Sequence, residues 1–138
     1  MNWYLKVFKQ YFDFSGRARR KEFWMFMLFH YIFIFGASLL LFSLTGNIYE
    51  DDEPNYVVTT VICLYLLISI IPSLAVTVRR LHDSGKSGWW LLLNIIPYIG
   101  WFIIVIFTCM EGQSRPNQWG ENPKGVGNDI IINQIGKE

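Results

Sequence analysis

Three stretches without a single Asp, Glu, Lys or Arg, at about residues 23–44, 56–78 and 91–110, take up nearly half of this 138-residue chain. An α-helix rises about 1.5 Å per residue and bilayer hydrocarbon is about 30 Å thick, so roughly 20 apolar residues make a spanning helix. The sequence therefore predicts an all-α membrane protein with three transmembrane helices in one domain over 1–125. A short interfacial amphipathic helix precedes the spans and an irregular tail follows, with 126–138 expected to be disordered. The lipid bilayer is the first partner, and too little chain is left over for a separate soluble domain.

The net charge of +1 hides an asymmetry. Residues 1–22 carry six bases against Asp13 and Glu22, whereas the loop at 45–55 carries Glu50, Asp51, Asp52 and Glu53 with no base. Arg79, Arg80 and Lys86 outweigh Asp83 in the next loop. Short loops rich in Lys and Arg stay in the cytoplasm. This places the N-terminus and the 79–88 loop inside and the acidic loop outside. With three full spans the C-terminus lies outside. The first span follows a 22-residue basic segment and is too long for a cleaved signal, so it is expected to act as a signal anchor. Cys63 and Cys109 fall inside spans without metal or redox spacing and are expected to be buried free thiols.

Near the start, Trp3, Tyr4, Val7, Phe8 and Tyr11 share one helical face, while Lys6, Lys9 and Gln10 lie off it. That pattern suits a helix in the headgroup region, the alternative being a short helix packed on the bundle. In span two, Pro72 removes a backbone hydrogen bond and predicts a kink. Span three is interrupted by Asn94, Pro97 and Gly100. Two half-spans of ten residues would each reach only about 15 Å, which favours one kinked helix. A re-entrant hairpin stays open and would bring the tail inside. From Gly112 onward the chain is polar and rich in Gly, Pro and Asn, the composition of an irregular tail.

His30 is the only ionisable side chain of the His, Asp, Glu, Lys and Arg kinds within a span. It is a functional-site candidate by position, set against a neutral imidazole bonded to a neighbouring helix. The densest polar run is Arg79-Arg80-Leu81-His82-Asp83-Ser84-Gly85-Lys86-Ser87-Gly88, followed by Trp89-Trp90. A phosphate loop needs a glycine where Arg80 stands. A Ser–His–Asp triad needs convergence that adjacent residues lack, and a metal needs more ligands than His82 and Asp83. A turn between spans, with bases for topology and Trp89-Trp90 as interfacial anchors, accounts for the run. An anion or headgroup site built by Arg79, Arg80 and Lys86 is the intermediate reading. The basic run Arg17, Arg19, Arg20, Lys21 is too short to argue for nucleic acid, and no cofactor is expected.

Phe14-Ser15-Gly16-Arg17-Ala18-Arg19-Arg20-Lys21-Glu22-Phe23-Trp24, then Arg79-Arg80-Leu81-His82-Asp83 with Gly88-Trp89-Trp90, then Pro97, Gly100, Gly112 and Asn117-Gln118-Trp119-Gly120-Glu121-Asn122-Pro123, form three ordered motifs. They resemble the signatures of the domain-of-unknown-function 805 (DUF805) family over about residues 1–125. The resemblance implies a bacterial inner-membrane location and no particular activity. The expected role is non-enzymatic: an accessory protein that interacts with anionic lipid headgroups, a membrane-protein partner or further copies of itself. A transporter or channel component acting as an oligomer is the alternative. An enzyme on a lipid-linked substrate, with His82 and Asp83 as acid–base groups, is third. The candidate cluster is Arg17, Arg20, Glu22, Arg79, Arg80, His82, Asp83, Trp89 and Trp90, with His30 and Asn94 as intramembrane polar residues. Helix dipoles favour Glu22 at the start of the first span and Arg79 and Arg80 at the end of the second. Glu22 is therefore expected to pair with Arg79 or Arg80, and His82 and Asp83 to join or cap the pair.

Overall fold

The computed structural model describes residues 2–45 and 56–125. The acidic loop and the segment 126–138 lie outside them. The described residues form four α-helices, α1 (Asn2–Lys9), α2 (Arg20–Thr45), α3 (Tyr56–Asp83) and α4 (Ile99–Cys109), with a 3-10 helix at Gly88–Ile95 before α4. They contain no strand, only one isolated bridge between Asn117 and Gly120.

Two helices, α2 and α3, are long and apolar enough to cross a membrane. Their outer surfaces are apolar and exposed, as at Phe35, Phe42 and Leu67. Exposed Leu and Phe in such numbers suit a lipid solvent, where apolar surface carries no penalty. Cys63 and Cys109 are also exposed, contrary to the expected burial. So few helices leave most side chains on the outside of the bundle.

The third apolar stretch is not one helix. Ile96 is extended, as a residue before proline is biased to be. Tyr98 then takes φ 64°, ψ −55°, and the Ile99 amide donates to the Pro97 carbonyl at 2.7 Å. That is a γ-turn of the strained, positive-φ kind. The chain reverses there, and α4 packs back along the 3-10 helix. Gly100 allows the approach, because a Cβ there would overlap the Leu93 carbonyl. Each arm reaches about 16 Å, half the hydrocarbon thickness. The expected third span is therefore replaced by a hairpin, and the tail emerges at the end of the bundle where α2 starts and α3 stops.

Helix α1 packs on the sides of α2 and α3. Val7 is fully buried with Ala18, Phe23, Phe26 and Val76, and Phe8 joins this cluster. The Trp3 and Tyr4 side chains lie outside the described ones. Just past α1, the Tyr11 hydroxyl donates to the Ile68 carbonyl at 2.5 Å. Pro72 explains that bond: it lacks the N–H that would otherwise serve residue 68. Tyr11→Phe is expected to cost about 1 kcal/mol of stability. In a Pro72→Ala background, where the residue 72 amide takes the Ile68 carbonyl, the same change should be near neutral. Equal losses in both backgrounds, read by denaturant titration in detergent, would exclude the link.

Candidate functional site

The last turn of α3 carries four backbone carbonyls that no intrahelical amide can satisfy. Gly85, at φ 77°, closes the helix: its amide donates to His82 O, and the Lys86 amide donates to Leu81 O at 2.9 Å. These are the two bonds of a Schellman motif, with glycine in the left-handed position. The Ser84 amide takes Arg80 O, and further bonds to this end of the helix come from elsewhere in the chain. The Ala18 amide donates to Arg79 O at 3.0 Å, and the Gln113 amide to Asp83 O at 2.8 Å. Asn117 Nδ2 adds a bond to His82 O at 2.9 Å. The segment before α2 and the tail after α4 are thus both fastened to the end of α3.

Asp83 is the hub. Its Oδ1 accepts from Arg17 Nε at 3.0 Å, and its Oδ2 accepts from Arg80 Nη1. Arg80 is fully buried, Arg17 and Asp83 nearly so. Arg80 also donates to Thr108 O at 3.0 Å and to Met110 O, and Arg20 Nε reaches Met110 O at 2.7 Å. Two arginines therefore cap the C-terminus of α4, where the helix dipole favours positive charge. Arg17 gathers the tail, donating to Arg115 O at 2.9 Å and to Gln113 O. Arg19 donates to Pro123 O at 2.6 Å. Gly112 is required beside the hub, because a Cβ there would overlap the Asp83 carboxylate.

Glu22 and Arg79 form a second, looser pair. Glu22 Oε1 lies 3.9 Å from Arg79 Nη1, too far for a hydrogen bond. Glu22 Oε2 instead takes the Lys6 ammonium at 2.7 Å, and Arg79 Nη1 donates to Gln10 Oε1. Glu22 Oε1 and Arg79 Nη2 are buried without a hydrogen-bond partner among the described residues. Arg80 pairs with Asp83 rather than with Glu22, because the i,i+3 spacing on α3 places them on one face.

His82 Nδ1 lies 3.2 Å from Gly16 O, and its ring stacks on Trp119 at 4.5 Å and 9°. Trp89 and Trp90 stand apart from the hub at the start of the 3-10 helix. Trp89 is 78% exposed, and Trp90 packs edge-on against Phe107. His30 Nδ1 lies 2.9 Å from the Tyr65 hydroxyl, across the α2–α3 contact. Asn94 faces a cavity between α2, α3 and the hairpin. Among the described residues, no three His, Cys, Asp or Glu side chains gather as a metal site. On the surface, Lys124 at 3.0 Å holds the Glu111 carboxyl below its ordinary range, and Arg20 adds to the effect.

Sequence reasoning missed Lys6, Gln10, Gln113, Asn117 and Trp119 as members of this site. A signal for the tail was present. The Oδ1 atoms of Asn117 and Asn122 accept the amides of Trp119 and Lys124, both at 3.0 Å. Asn is suited to such self-folding turns, which order a segment without a core.

The chain is similar to several known proteins. Inner membrane protein YhaH of Escherichia coli K12 is 45% identical over 124 residues, covering 90% of this chain and 98% of the relative. Inner membrane protein YhaI of the same strain is 45% identical over 124 residues, covering 90% and 97%. The uncharacterized protein YiiR is 39% identical over 88 residues, 64% of this chain and 53% of its own. No solved structure matches. The sequence model of the family described as protein of unknown function (DUF805) matches residues 11–121, a span that holds the first two motifs and most of the third, and the chain belongs to that family.

Proposed function

We propose that this chain is a non-enzymatic accessory protein of the bacterial inner membrane. Two spans hold it there, with the hairpin sunk into the cytoplasmic leaflet and both the N-terminal segment and the tail on the cytoplasmic side. The observation that carries the non-enzymatic reading is how the charged groups are used. Asp83 is clamped between Arg17 and Arg80, and His82 is fixed between Gly16 O and Trp119. Both carboxylate oxygens of Asp83 and the His82 ring are engaged in contacts that tie distant parts of the chain together. The relatives named as inner membrane proteins support the location. Its exposed apolar sides are where such a protein meets lipid or another membrane protein.

Orientation follows the bases, which the fold gathers at one end: Arg17, Arg19, Arg20, Lys21, Arg79, Arg80 and Lys86. Cysteines at Asp52 and at Glu121 are placed one at a time in a background lacking Cys63 and Cys109. The cysteine at 52 should react with an impermeant thiol reagent in intact spheroplasts, and that at 121 only after permeabilisation. Labelling at 121 in intact spheroplasts would overturn the orientation of the tail.

The role itself is tested by reconstitution into vesicles of inner-membrane lipid. Solute and ion leakage and lipid composition should match those of protein-free vesicles over time. Protein-dependent flux would favour the transporter reading. A lipid product that forms with the intact chain and is lost in His82→Ala would favour the enzyme.

A further inference from the structure

Between α2, α3 and the re-entrant hairpin lies a half-open cavity of about 410 Å³. Its walls include Trp24, Met27 and Tyr31 of α2, Leu74 of α3, and Leu91 and Ile104 of the hairpin. Besides the Tyr31 hydroxyl and the Asn94 amide, three Ser and Thr hydroxyls line it, each already bonded to its own helix. Ser73 donates to Ser69 O at 2.7 Å, Thr77 to Ser73 O at 2.6 Å and Thr108 to Val105 O at 2.9 Å. These three hydroxyls need nothing from an occupant and most of the remaining wall is apolar, so the cavity suits a largely apolar occupant, with the Asn94 amide as a polar point in the wall. Its walls include residues of both arms of the hairpin, Leu91 and Asn94 on one and Trp101, Ile104, Val105 and Thr108 on the other.

Charge stands at the head of the same face. Arg20 precedes Trp24, Met27 and Tyr31 by four, seven and eleven residues, the spacing of one helical stripe. Its Nε is fixed on Met110 O, and neither terminal nitrogen has a partner among the described residues. Lys21 beside it is exposed. The nearby acid, Glu111, is paired with Lys124, so the local balance is positive. A guanidinium whose two terminal nitrogens make no hydrogen bond among the described residues, at the head of an apolar groove, suits an anionic lipid, with an oxygen pair at one end and a hydrocarbon chain at the other.

We propose that this groove is a phospholipid site, with one acyl chain between α2 and the hairpin and the phosphate on Arg20. It rests on the accessory reading above and names a ligand for it. The test is native mass spectrometry and thermal shift of the detergent-purified protein titrated with dioleoyl phosphatidylglycerol. Parallel titrations use dioleoylglycerol, which lacks phosphate, and inorganic phosphate, which lacks chains. One phosphatidylglycerol should be retained and should raise the melting temperature, while the other two do little. Arg20→Gln should weaken retention about tenfold and Arg20→Lys much less. Val105→Trp, which fills the groove, should abolish it. If Val105→Trp does not fold, the two Arg20 variants still decide. Equal retention in Arg20→Gln and the unmodified protein would mean unspecific surrounding lipid and overturn the site, as would inorganic phosphate acting alone. Either result would leave the accessory reading intact if the reconstituted vesicles show neither flux nor lipid turnover.

Discussion

Asp83→Ala is expected to be the most damaging single change outside the apolar core, lowering stability by about 3–5 kcal/mol. The carboxylate is the shared counter-charge of Arg17 and Arg80, whose side chains are 1% and 0% exposed. Without it two guanidiniums stay buried with only carbonyl oxygens to face. The penalty is a large part of the roughly 5–15 kcal/mol that keeps a typical domain folded. Unfolding by denaturant in detergent should show the loss, and hydrogen exchange should rise first at residues 113–123, which Arg17 and Asp83 hold. Gly112→Ala should move in the same direction, since its Cβ would displace the same carboxylate. A cycle with Arg17→Gln and Asp83→Asn should be strongly non-additive. Additive losses would mean that the hub is solvated and the buried geometry wrong.

Gly100→Val should be the second largest. The added atoms meet the Leu93 carbonyl and the Asn94 amide, which are backbone and cannot swing aside. Overpacking of this kind costs about 1–3 kcal/mol where the surroundings relax, and more where they do not. The arms of the hairpin must then part. Because Arg20 and Arg80 hold the end of α4 at Met110 O and Thr108 O, the damage should spread to the hub. Tyr98→Gly is the contrasting change. It leaves the turn but removes the positive-φ strain, and should be neutral or stabilising by up to about 1 kcal/mol. A Gly100→Val protein as stable as the original would argue for a single kinked helix.

These two sites show where the sequence was legible. Pro97, Gly100 and Asn94 marked an interruption, but local pattern does not distinguish a kink from a reversal. The deciding fact is that Gly100 rests on Leu93, a contact between two arms of the chain. The second apolar span was expected to end near Val78, with Arg79 and Arg80 closing the helix. The helix continues to Asp83 because its charged turn is covered by the tail and by residues 16–18. A pairing of Glu22 with Arg79 or Arg80 was expected from helix dipoles. The geometry forms it loosely with Arg79, at 3.9 Å, gives Glu22 a closer partner in Lys6, and puts Arg80 on Asp83 with Arg17. Which arginine meets which acid depends on rotation about each helix axis, a quantity that dipole arguments leave free.

By itself, then, the sequence determined the solvent and the segments. Uncharged runs at 23–44 and 56–78 can be stable only as helices with apolar surroundings, whatever the rest of the chain does. The tertiary structure alone decided that the third run turns back, that the polar stretch 111–125 is fastened to the end of α3, and that residues of three distant motifs close on Asp83. The physical reason is range. Hydrophobicity and backbone satisfaction act along a segment and are written in it. The pairing of a buried charge is settled only when elements some 100 residues apart, Arg17 and the carbonyls of the tail, arrive at the same place.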